Sequence, residues 1–231
     1  MAIRIAKFLS DNGVASRRTA EKLVADGVVQ INGKTIESPV NFVNNDDIVT
    51  VNGKKIDSKP NTELYAFYKP INTMTTMRDP LGRKTIYDVL PEKYNHLKYV
   101  GRLDFKTTGL LLLTNDGELA RRLTLPSSKI PRVYIAKVSG NTKKLDMARR
   151  GITVDGVNYA PMKIYETEPG ILRIEITEGK KNEIRIAMRA CGCPVVKLHR
   201  ISYGKIYLGN LTPGQIKKIS QKTIDEMIKT L

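Results

Sequence analysis

The spacing of apolar and polar residues predicts a small helical N-terminal part with short hairpins. Residues 3–9 have apolar spacing that fits a helix, and Ser16 can cap a second helix that ends before Gly27. Asn-Gly pairs at 32–33 and 52–53, each between short apolar runs, predict two tight hairpins. The first sixty residues therefore predict two helices followed by short antiparallel strands.

The rest of the chain shows mainly the alternation and short apolar runs of strands. Strands are predicted over residues 64–68, 99–103, 110–114, 132–138, 163–166, 171–177, 195–198 and 205–208. Helices are predicted over residues 86–90, 118–124, 182–189, 212–219 and 223–231. Because strands dominate and helices do not alternate regularly with them, we predict an α+β fold with a largely antiparallel sheet.

A polar segment without periodicity separates the two parts. Residues 57–61, Asp-Ser-Lys-Pro-Asn, include a proline and lack apolar residues. We predict a small domain over residues 1–57, a linker over 58–62 and a second domain over 63–231.

The charge of the chain predicts a polyanionic partner. The 39 Lys and Arg residues exceed the 23 Asp and Glu residues, which gives a formal net charge of +16. Most of the excess falls after residue 60. Nucleic acid is the first expectation and an anionic membrane surface the second, with basicity for solubility alone as the plain alternative. A membrane-surface role rests on charge alone, because no basic amphipathic helix stands out.

Composition narrows the class of protein further. No apolar run approaches the ~20 residues of a membrane-spanning helix, and the N-terminus lacks the apolar core of a signal peptide, so we expect a cytoplasmic location. Cys191 and Cys193, without nearby histidines, predict two reduced thiols and neither a disulfide nor a zinc site. The sequence contains no glycine-rich phosphate loop, no His/Cys cluster and no dinucleotide fingerprint.

Basic residues lie on or beside the two predicted N-terminal helices, where rigid supports suit phosphate contacts, although solvated helix faces look the same. They are Arg4, Lys7, Arg17, Arg18 and Lys22. The segment RIAKFLSDNGVASRRTAEKLVADGVVQINGK, residues 4–34, closely resembles the S-four RNA-binding domain. The resemblance implies recognition of structured RNA through shape and phosphates, and adds Lys34 to the expected contacts. By itself it also fits a ribosomal protein, a heat-shock factor or a synthetase appendage.

Asp104 is the principal candidate for chemistry in the second domain. It lies between a predicted strand and a turn in YVGRLDFKTTGLLLLTNDG, residues 99–117. A lone carboxylate at such a point can serve as nucleophile or base. From residue chemistry alone a turn or capping role is favoured, as it is for Asp116 before the helix at 118–124.

The same segment resembles the signature of pseudouridine synthases that act on ribosomal RNA and carry an N-terminal S-four domain. Further matches follow in order: Phe67-Tyr68-Lys69-Pro70, Pro131-Arg132-Val133-Tyr134, Glu178-Gly179-Lys180 through Ile184-Arg185, and a tail from Val196 to Gly214. This resemblance spans both domains and implies a mostly antiparallel mixed sheet with flanking helices and a central cleft. Glu183 departs from the usual Gln, Ile186 from a common second Arg, and Arg132 from the usual Lys.

The resemblance also implies an activity and its residues. Uridine is isomerised by breaking the bond from ribose to a ring nitrogen, turning the base and rejoining it through a ring carbon. This reaction needs no redox step, phosphate donor or metal, so the resemblance implies no cofactor and no metal, in agreement with the missing motifs. Asp104 is then the essential carboxylate, as nucleophile or base, with Arg185 as its partner and Tyr134 stacking on the flipped base. Arg102 and Leu198 are assigned to the substrate pocket. Expected RNA-backbone contacts are Lys69, Arg83 and Lys197, whereas His96 and His199 match no motif.

The expected substrate is one uridine of ribosomal RNA, with the large subunit favoured. Expected partners are ribosomal RNA and pre-ribosomal particles, and a monomer is expected. The alternative is a non-catalytic RNA-binding protein of ribosome assembly that has kept the fold. The intact Asp104, Tyr134 and Arg185 argue against that alternative.

Overall fold

The computed structural model describes residues 2–56 and 61–229, and the chain divides into two compact units, residues 1–62 and 63–231. Of the predicted linker at 58–62, residues 58–60 lie outside the described residues. Each unit has its own hydrophobic core.

The first unit combines two helices with short antiparallel strands. Its elements are β1 (Ile3–Arg4), α1 (Ile5–Asp11), α2 (Arg17–Ala25), β2 (Val29–Ile31), β3 (Lys34–Thr35), β4 (Phe42–Val43), β5 (Val49–Val51) and β6 (Lys54–Lys55). Ser16 caps α2 as predicted, because its Oγ accepts a hydrogen bond from the Thr19 amide at 3.2 Å. Asn32 and Asn52 have φ of 51° and 49°, as the predicted tight Asn-Gly turns require.

The second unit is built on a nine-stranded sheet with helices on both faces. Its strands are β7 (Leu64–Lys69), β8 (Lys98–Val100), β9 (Thr107–Thr114), β10 (Arg132–Val138), β11 (Ile152–Val154), β12 (Val157–Tyr159), β13 (Lys163–Glu168), β14 (Ile171–Ile176), β15 (Val195–Tyr203), β16 (Ile206–Tyr207) and β17 (Ile216–Lys218). Its α-helices are α3 (Gly117–Thr124), α4 (Asp146–Arg149), α5 (Glu183–Ala190) and α6 (Gln221–Ile228). Short 3-10 helices cover Glu92–Tyr94, Pro126–Ser128 and Thr142–Lys144.

The order of strands confirms the predicted α+β fold with a largely antiparallel sheet. The main path is β13-β14-β10-β15-β9-β7-β17, with β16 paired to β15 and β8 paired to β9; β11 and β12 form a separate pair. The pairing of β9 with β15 is parallel, and the other strand pairs of this sheet are antiparallel. No helix in the described ranges is long and apolar enough to cross a membrane.

The four consecutive leucines of β9 are buried because both faces of this central strand are covered. Leu111 and Leu113 pack in the cluster that contains residues of α5. Leu110 and Leu112 pack in the opposite cluster with residues of α3 and α6. A continuous apolar run of this kind is typical of a strand buried on both sides.

Three predictions of secondary structure are wrong. The predicted helix at 212–219 is instead strand β17, whose Ile216 pairs with Phe67 of β7. The predicted helix at 86–90 is a turn in which the amides of residues 89 and 90 both bond to the Ile86 carbonyl. The strand predicted over 99–103 ends at Val100, because Gly101 has φ of +66° and leaves the extended conformation.

Candidate active site

An open cleft of about 1020 Å³ lies within the second unit. The turn between β8 and β9, the start of α5, and parts of β10 and β15 line it. It brings together the predicted residues Arg102, Asp104, Tyr134, Arg185 and Leu198. Residues distributed over almost one hundred positions of the sequence thus meet at one surface, as an active site requires.

The segment around Asp104 is held by backbone hydrogen bonds on both sides. Thr75 Oγ1 donates to the Leu103 carbonyl at 2.9 Å, and the Asn72 amide donates to the Phe105 carbonyl at 2.9 Å. The Thr107 amide donates to the Asp104 carbonyl at 3.0 Å and closes the turn into β9. Asp104 itself is partly exposed at the cleft, where a substrate can reach it.

Lys69 supports this segment from inside the protein. It is fully buried, and its Nζ donates to the carbonyls of Thr107 at 2.9 Å and Pro70 at 3.0 Å. Burial lowers the pKa of Lys69 to about 8, while the Asp104 carboxylate acts in the opposite direction. The prediction that Lys69 contacts the RNA backbone is therefore wrong, because its amine is bonded to two backbone carbonyls and Lys69 is not among the residues that line the cleft.

Arg185 lies on the first turn of α5, half-buried at the cleft. Its guanidinium donates to the carbonyls of Val195 at 3.3 Å and Lys106 at 3.2 Å. Burial lowers the pKa of Arg185, and the electrostatic effect of Asp104 opposes that shift. Among the described residues the two side chains form no direct ion pair, so the predicted pairing is an electrostatic interaction at longer range. By bonding Lys106, Arg185 also steadies the turn that carries Asp104.

Tyr134 and Leu198 lie on the adjacent strands β10 and β15, and both are buried side chains that line the cleft. In the register of these strands, Tyr134 lies opposite Arg200, and Leu198 lies opposite Ala136. An aromatic ring and an aliphatic side chain at one wall can accommodate a planar base. Arg102, the second predicted pocket residue, is exposed at the cleft.

Sequence reasoning did not select Arg200, which lies beneath this wall. Its side chain is 2% exposed, and its Nε donates to the Leu110 carbonyl at 2.6 Å. Its Nη1 lies 3.5 Å from the Tyr134 hydroxyl. Leu198, Arg200 and Ser202 alternate along β15 and are all buried, so a period-two pattern continuing from Leu198 was the available signal.

Two carboxyl groups meet at the start of α5, where this chain has Glu183 in place of the usual Gln. Glu183 is buried, and its Oε2 accepts from the Lys180 amide at 3.0 Å. Glu178 accepts from the Ala160 amide at 2.6 Å and pairs with the Lys180 amine at 2.8 Å. Burial and the nearby Glu178 carboxylate raise the pKa of Glu183 to about 7. Of the two carboxyl groups, Glu183 is therefore the one that takes up a proton first as the pH falls through about 7.

The remaining predicted RNA contacts lie at the surface. Exposed side chains are those of Arg4, Arg17, Arg18, Lys22, Lys34, Arg83 and Lys197. Lys7 is partly buried and pairs with Asp11 at 2.5 Å, and Arg83 forms a two-pronged pair with Asp79 at 2.8 and 2.9 Å. His199 is half-buried with its Nδ1 2.9 Å from Thr108 Oγ1, which fits a structural role, whereas His96 is exposed.

Both units match families of known proteins. The family profile of RNA pseudouridylate synthases matches residues 63–190, and that of the S4 domain matches residues 3–44. An uncharacterized RNA pseudouridine synthase of Rickettsia bellii is 42% identical over 95% of this chain and 97% of its own length. The ribosomal large subunit pseudouridine synthase B of Bacillus subtilis is 33% identical over 97% of this chain and 95% of its own length.

A solved structure agrees with the fold. The crystal structure of a pseudouridylate synthase superposes with a TM-score of 0.71 at 25% identity, covering 97% of this chain and 99% of the other. Fold and cleft thus define an RNA-modifying isomerase, which confirms the class expected from the sequence motifs. The chain belongs to the RNA pseudouridine synthase family and carries an N-terminal S4 domain.

Proposed function

We propose that this pseudouridine synthase modifies one uridine of ribosomal RNA, in the large subunit. This substrate is supported by the Bacillus subtilis relative, which is named for the large ribosomal subunit and aligns with 97% of this chain. The S4 domain and the net charge of +16 support a structured, polyanionic substrate. We further propose that the protein acts in the cytoplasm as a monomer, on ribosomal RNA or on pre-ribosomal particles.

In the proposed mechanism, the target uridine leaves its stack and enters the cleft, where the Asp104 carboxylate acts at the ribose. The single observation that carries this proposal is the convergence of Asp104, Tyr134 and Leu198 on one open cleft. Tyr134 and Leu198 offer contacts to the displaced base, which offset the cost of unstacking it. Arg185 interacts electrostatically with Asp104 and bonds the Lys106 carbonyl, so it helps to position the turn that carries Asp104.

Replacing Asp104 by Asn tests this role with purified protein and ribosomal RNA transcripts. We expect Asp104→Asn to lose pseudouridine formation while circular dichroism and RNA binding stay close to wild type. Asp116→Asn is the matched control, because Asp116 caps α3 by accepting from the Glu118 and Leu119 amides and Asn caps equally well. Conversion by Asp104→Asn at the wild-type rate would contradict the proposal. RNA binding without conversion by the wild type would favour the assembly role instead.

A further inference from the structure

Arg200 is a buried cation that its surroundings do not satisfy. Among the described residues no carboxylate lies within 4 Å of its guanidinium, and its Nη2 has no hydrogen-bond partner. The Leu110 carbonyl and the Tyr134 hydroxyl occupy only Nε and Nη1. A buried charged donor left unpaired costs stability, so its retention calls for a physical reason.

The neighbouring Arg132 shows how a satisfied arginine is arranged in the same place. Its Nη2 donates to the Tyr203 hydroxyl at 3.1 Å and its Nη1 to the Thr177 carbonyl at 3.5 Å. Both guanidinium groups lie over the Tyr203 ring, at 4.9 Å for Arg132 and 5.2 Å for Arg200. Both Nη atoms of Arg132 thus have hydrogen-bond partners, whereas Nη2 of Arg200 has none.

Residues that carry unpaired, buried polar atoms line this one cleft. Three buried side-chain atoms of the described residues lack hydrogen-bond partners: Thr107 Oγ1, Glu183 Oε1 and Arg200 Nη2. All three residues line the cleft that contains Asp104. Such atoms are rare in folded proteins, and their concentration indicates a site that a polar ligand completes.

The charge beneath the cleft is positive. Lys69 and Arg200 are both buried, and the positive charge of Arg200 contributes to the lowered pKa of Lys69. Asp104 also interacts with Lys69, so this carboxylate and both cations belong to one electrostatic neighbourhood. Fixed positive charge in a site of low dielectric stabilises negative charge that develops during a reaction.

The isomerisation develops such a charge. When the bond between ribose C1′ and uracil N1 breaks, its electron pair stays on the ring, and the negative charge spreads to the carbonyl oxygens O2 and O4. The ring then joins C1′ through C5, C5 loses its proton and N1 gains one. Substrate and product therefore have the same atoms. While the ring is detached, its carbonyl oxygens carry the excess negative charge.

We propose that Arg200 is a further catalytic residue, whose free Nη2 donates a hydrogen bond to a carbonyl oxygen of the flipped uracil and stabilises the charge on the detached ring. The inference rests on the proposed function only in taking the uridine at Asp104 as the substrate. Gly109 permits this position of Arg200, because a Cβ at residue 109 would lie 2.3 Å from the Arg200 carbonyl oxygen.

The test combines Arg200 variants with sulfur substitution of the carbonyls. The RNA is a synthetic hairpin around the uridine that wild-type protein converts, carrying uridine, 2-thiouridine or 4-thiouridine at that position. Single-turnover rates are measured for wild type, Arg200→Lys and Arg200→Gln, with Arg132→Lys as the control. Sulfur is a poor hydrogen-bond acceptor. If Arg200 donates to one carbonyl oxygen, replacing that oxygen by sulfur must therefore lower the rate less in the Arg200 variants than in wild type.

We expect both Arg200 variants to lose roughly 10- to 100-fold in rate on the uridine hairpin. We also expect the effect of one thio substitution to differ about tenfold or more between wild type and these variants. Arg132→Lys should keep the wild-type response to sulfur. Equal thio effects in wild type and in the Arg200 variants, at both O2 and O4, would overturn the proposal.

Thermal melting followed by circular dichroism identifies which Arg200 variant is folded. If neither folds, nitrogen-15 spectra of the arginine side chains in Asp104→Asn with the uridine hairpin provide a second readout. The contact is supported if the uridine hairpin shifts the Arg200 Nη signals and a hairpin with sulfur at one carbonyl does not. Arg200 Nη signals that the uridine hairpin leaves unchanged overturn the proposal. Conversion of the uridine hairpin by wild type keeps the proposed function intact in either case.

Discussion

Burial changes the protonation of two ionisable residues near Asp104. Lys69 has its pKa lowered to about 8, and Glu183 has its pKa raised to about 7. Both shifts have burial as their largest cause, and each brings the pKa closer to neutral pH. An enzyme that handles a charged intermediate can use such groups, since small changes in their surroundings alter the local charge.

Replacing Glu183 by Gln should remove a pH dependence of stability. Folding raises the pKa of Glu183 from its ordinary value of 4.5 to about 7. Its contribution to the unfolding free energy is therefore fully present below about pH 4.5 and is lost as the pH rises towards 7. Relative to wild type, Glu183→Gln should gain on the order of 2 kcal/mol in unfolding free energy across that range. Urea unfolding at pH 4.5, 6 and 7.5 measures the difference.

Glu92→Gln serves as the comparison, because Glu92 is exposed in a 3-10 helix and undergoes the same change of charge. It should show a smaller change with pH. A difference between wild type and Glu183→Gln that is flat from pH 4.5 to 7.5 would show that Glu183 is ionised in the folded protein. Since the family usually has Gln at this position, Glu183→Gln should also keep its activity.

At the scale of the element, the contact between β9 and β15 holds the site together. These parallel strands pair Gly109 with Arg200, and Gly109 has φ of +101°. A side chain at residue 109 would meet both the backbone carbonyl and the backbone nitrogen of Arg200, at 2.3 and 2.8 Å. The glycine therefore lets the turn carrying Asp104 continue directly into a strand next to Arg200.

Gly109→Ala should consequently lower the unfolding free energy by about 2–4 kcal/mol, since it adds a clash with backbone to the strain of positive φ. Gly156→Ala is the matched control, because Gly156 has φ of +75° but open space around it, and should cost about 1 kcal/mol. Chemical denaturation of both variants measures the difference. Equal losses would show that the close contact of the two strands contributes nothing.

Local patterns predicted those elements whose signals are local. The cap at Ser16, the turns at Asn32 and Asn52 and the strand at 110–114 follow from residue types and spacing alone. The segment at 212–219 failed because its three-residue strand is decided by pairing with β7, which no local pattern encodes.

Site residues that belong to sequence motifs were predictable, whereas the roles of buried cations depend on packing and were not. Asp104, Tyr134 and Leu198 do line one cleft, as the motifs indicated. Lys69 resembled a surface cation because a lysine is rarely buried, and only the fold shows its two carbonyl partners. Arg200 falls within the matching tail motif, but only the fold shows its buried environment, which comes from strands that are distant in sequence.

On the scale of the whole molecule, most of the positive excess lies in the second unit, but the S4 domain adds basic side chains of its own that do not line the cleft. The first unit carries exposed basic side chains at Arg17, Arg18 and Lys22, while the second unit contains the cleft. Contacts to phosphates by such residues release counterions, so they contribute affinity that depends on salt. We expect the S4 domain to supply affinity and the second unit to supply chemistry.

Changing Arg17, Arg18 and Lys22 together to Ala should weaken RNA binding and leave the single-turnover rate at saturating protein unchanged. The slope of log affinity against log salt should fall in magnitude by about 2–3. A triple alanine variant at the exposed Lys143, Lys144 and Lys205 loses the same charge and is the control. A fall of equal size in both variants would indicate a general charge effect without a dedicated surface.

We propose that Asp104 carries the pseudouridine synthase activity of this protein at one site in ribosomal RNA. A position-resolved map of pseudouridines in ribosomal RNA tests it most directly, with cells that lack the protein and cells that regain wild type or Asp104→Asn. We predict that one large-subunit position loses pseudouridine, that wild type restores it, and that Asp104→Asn does not. An unchanged map without the protein, or full restoration by Asp104→Asn, would contradict this role of Asp104.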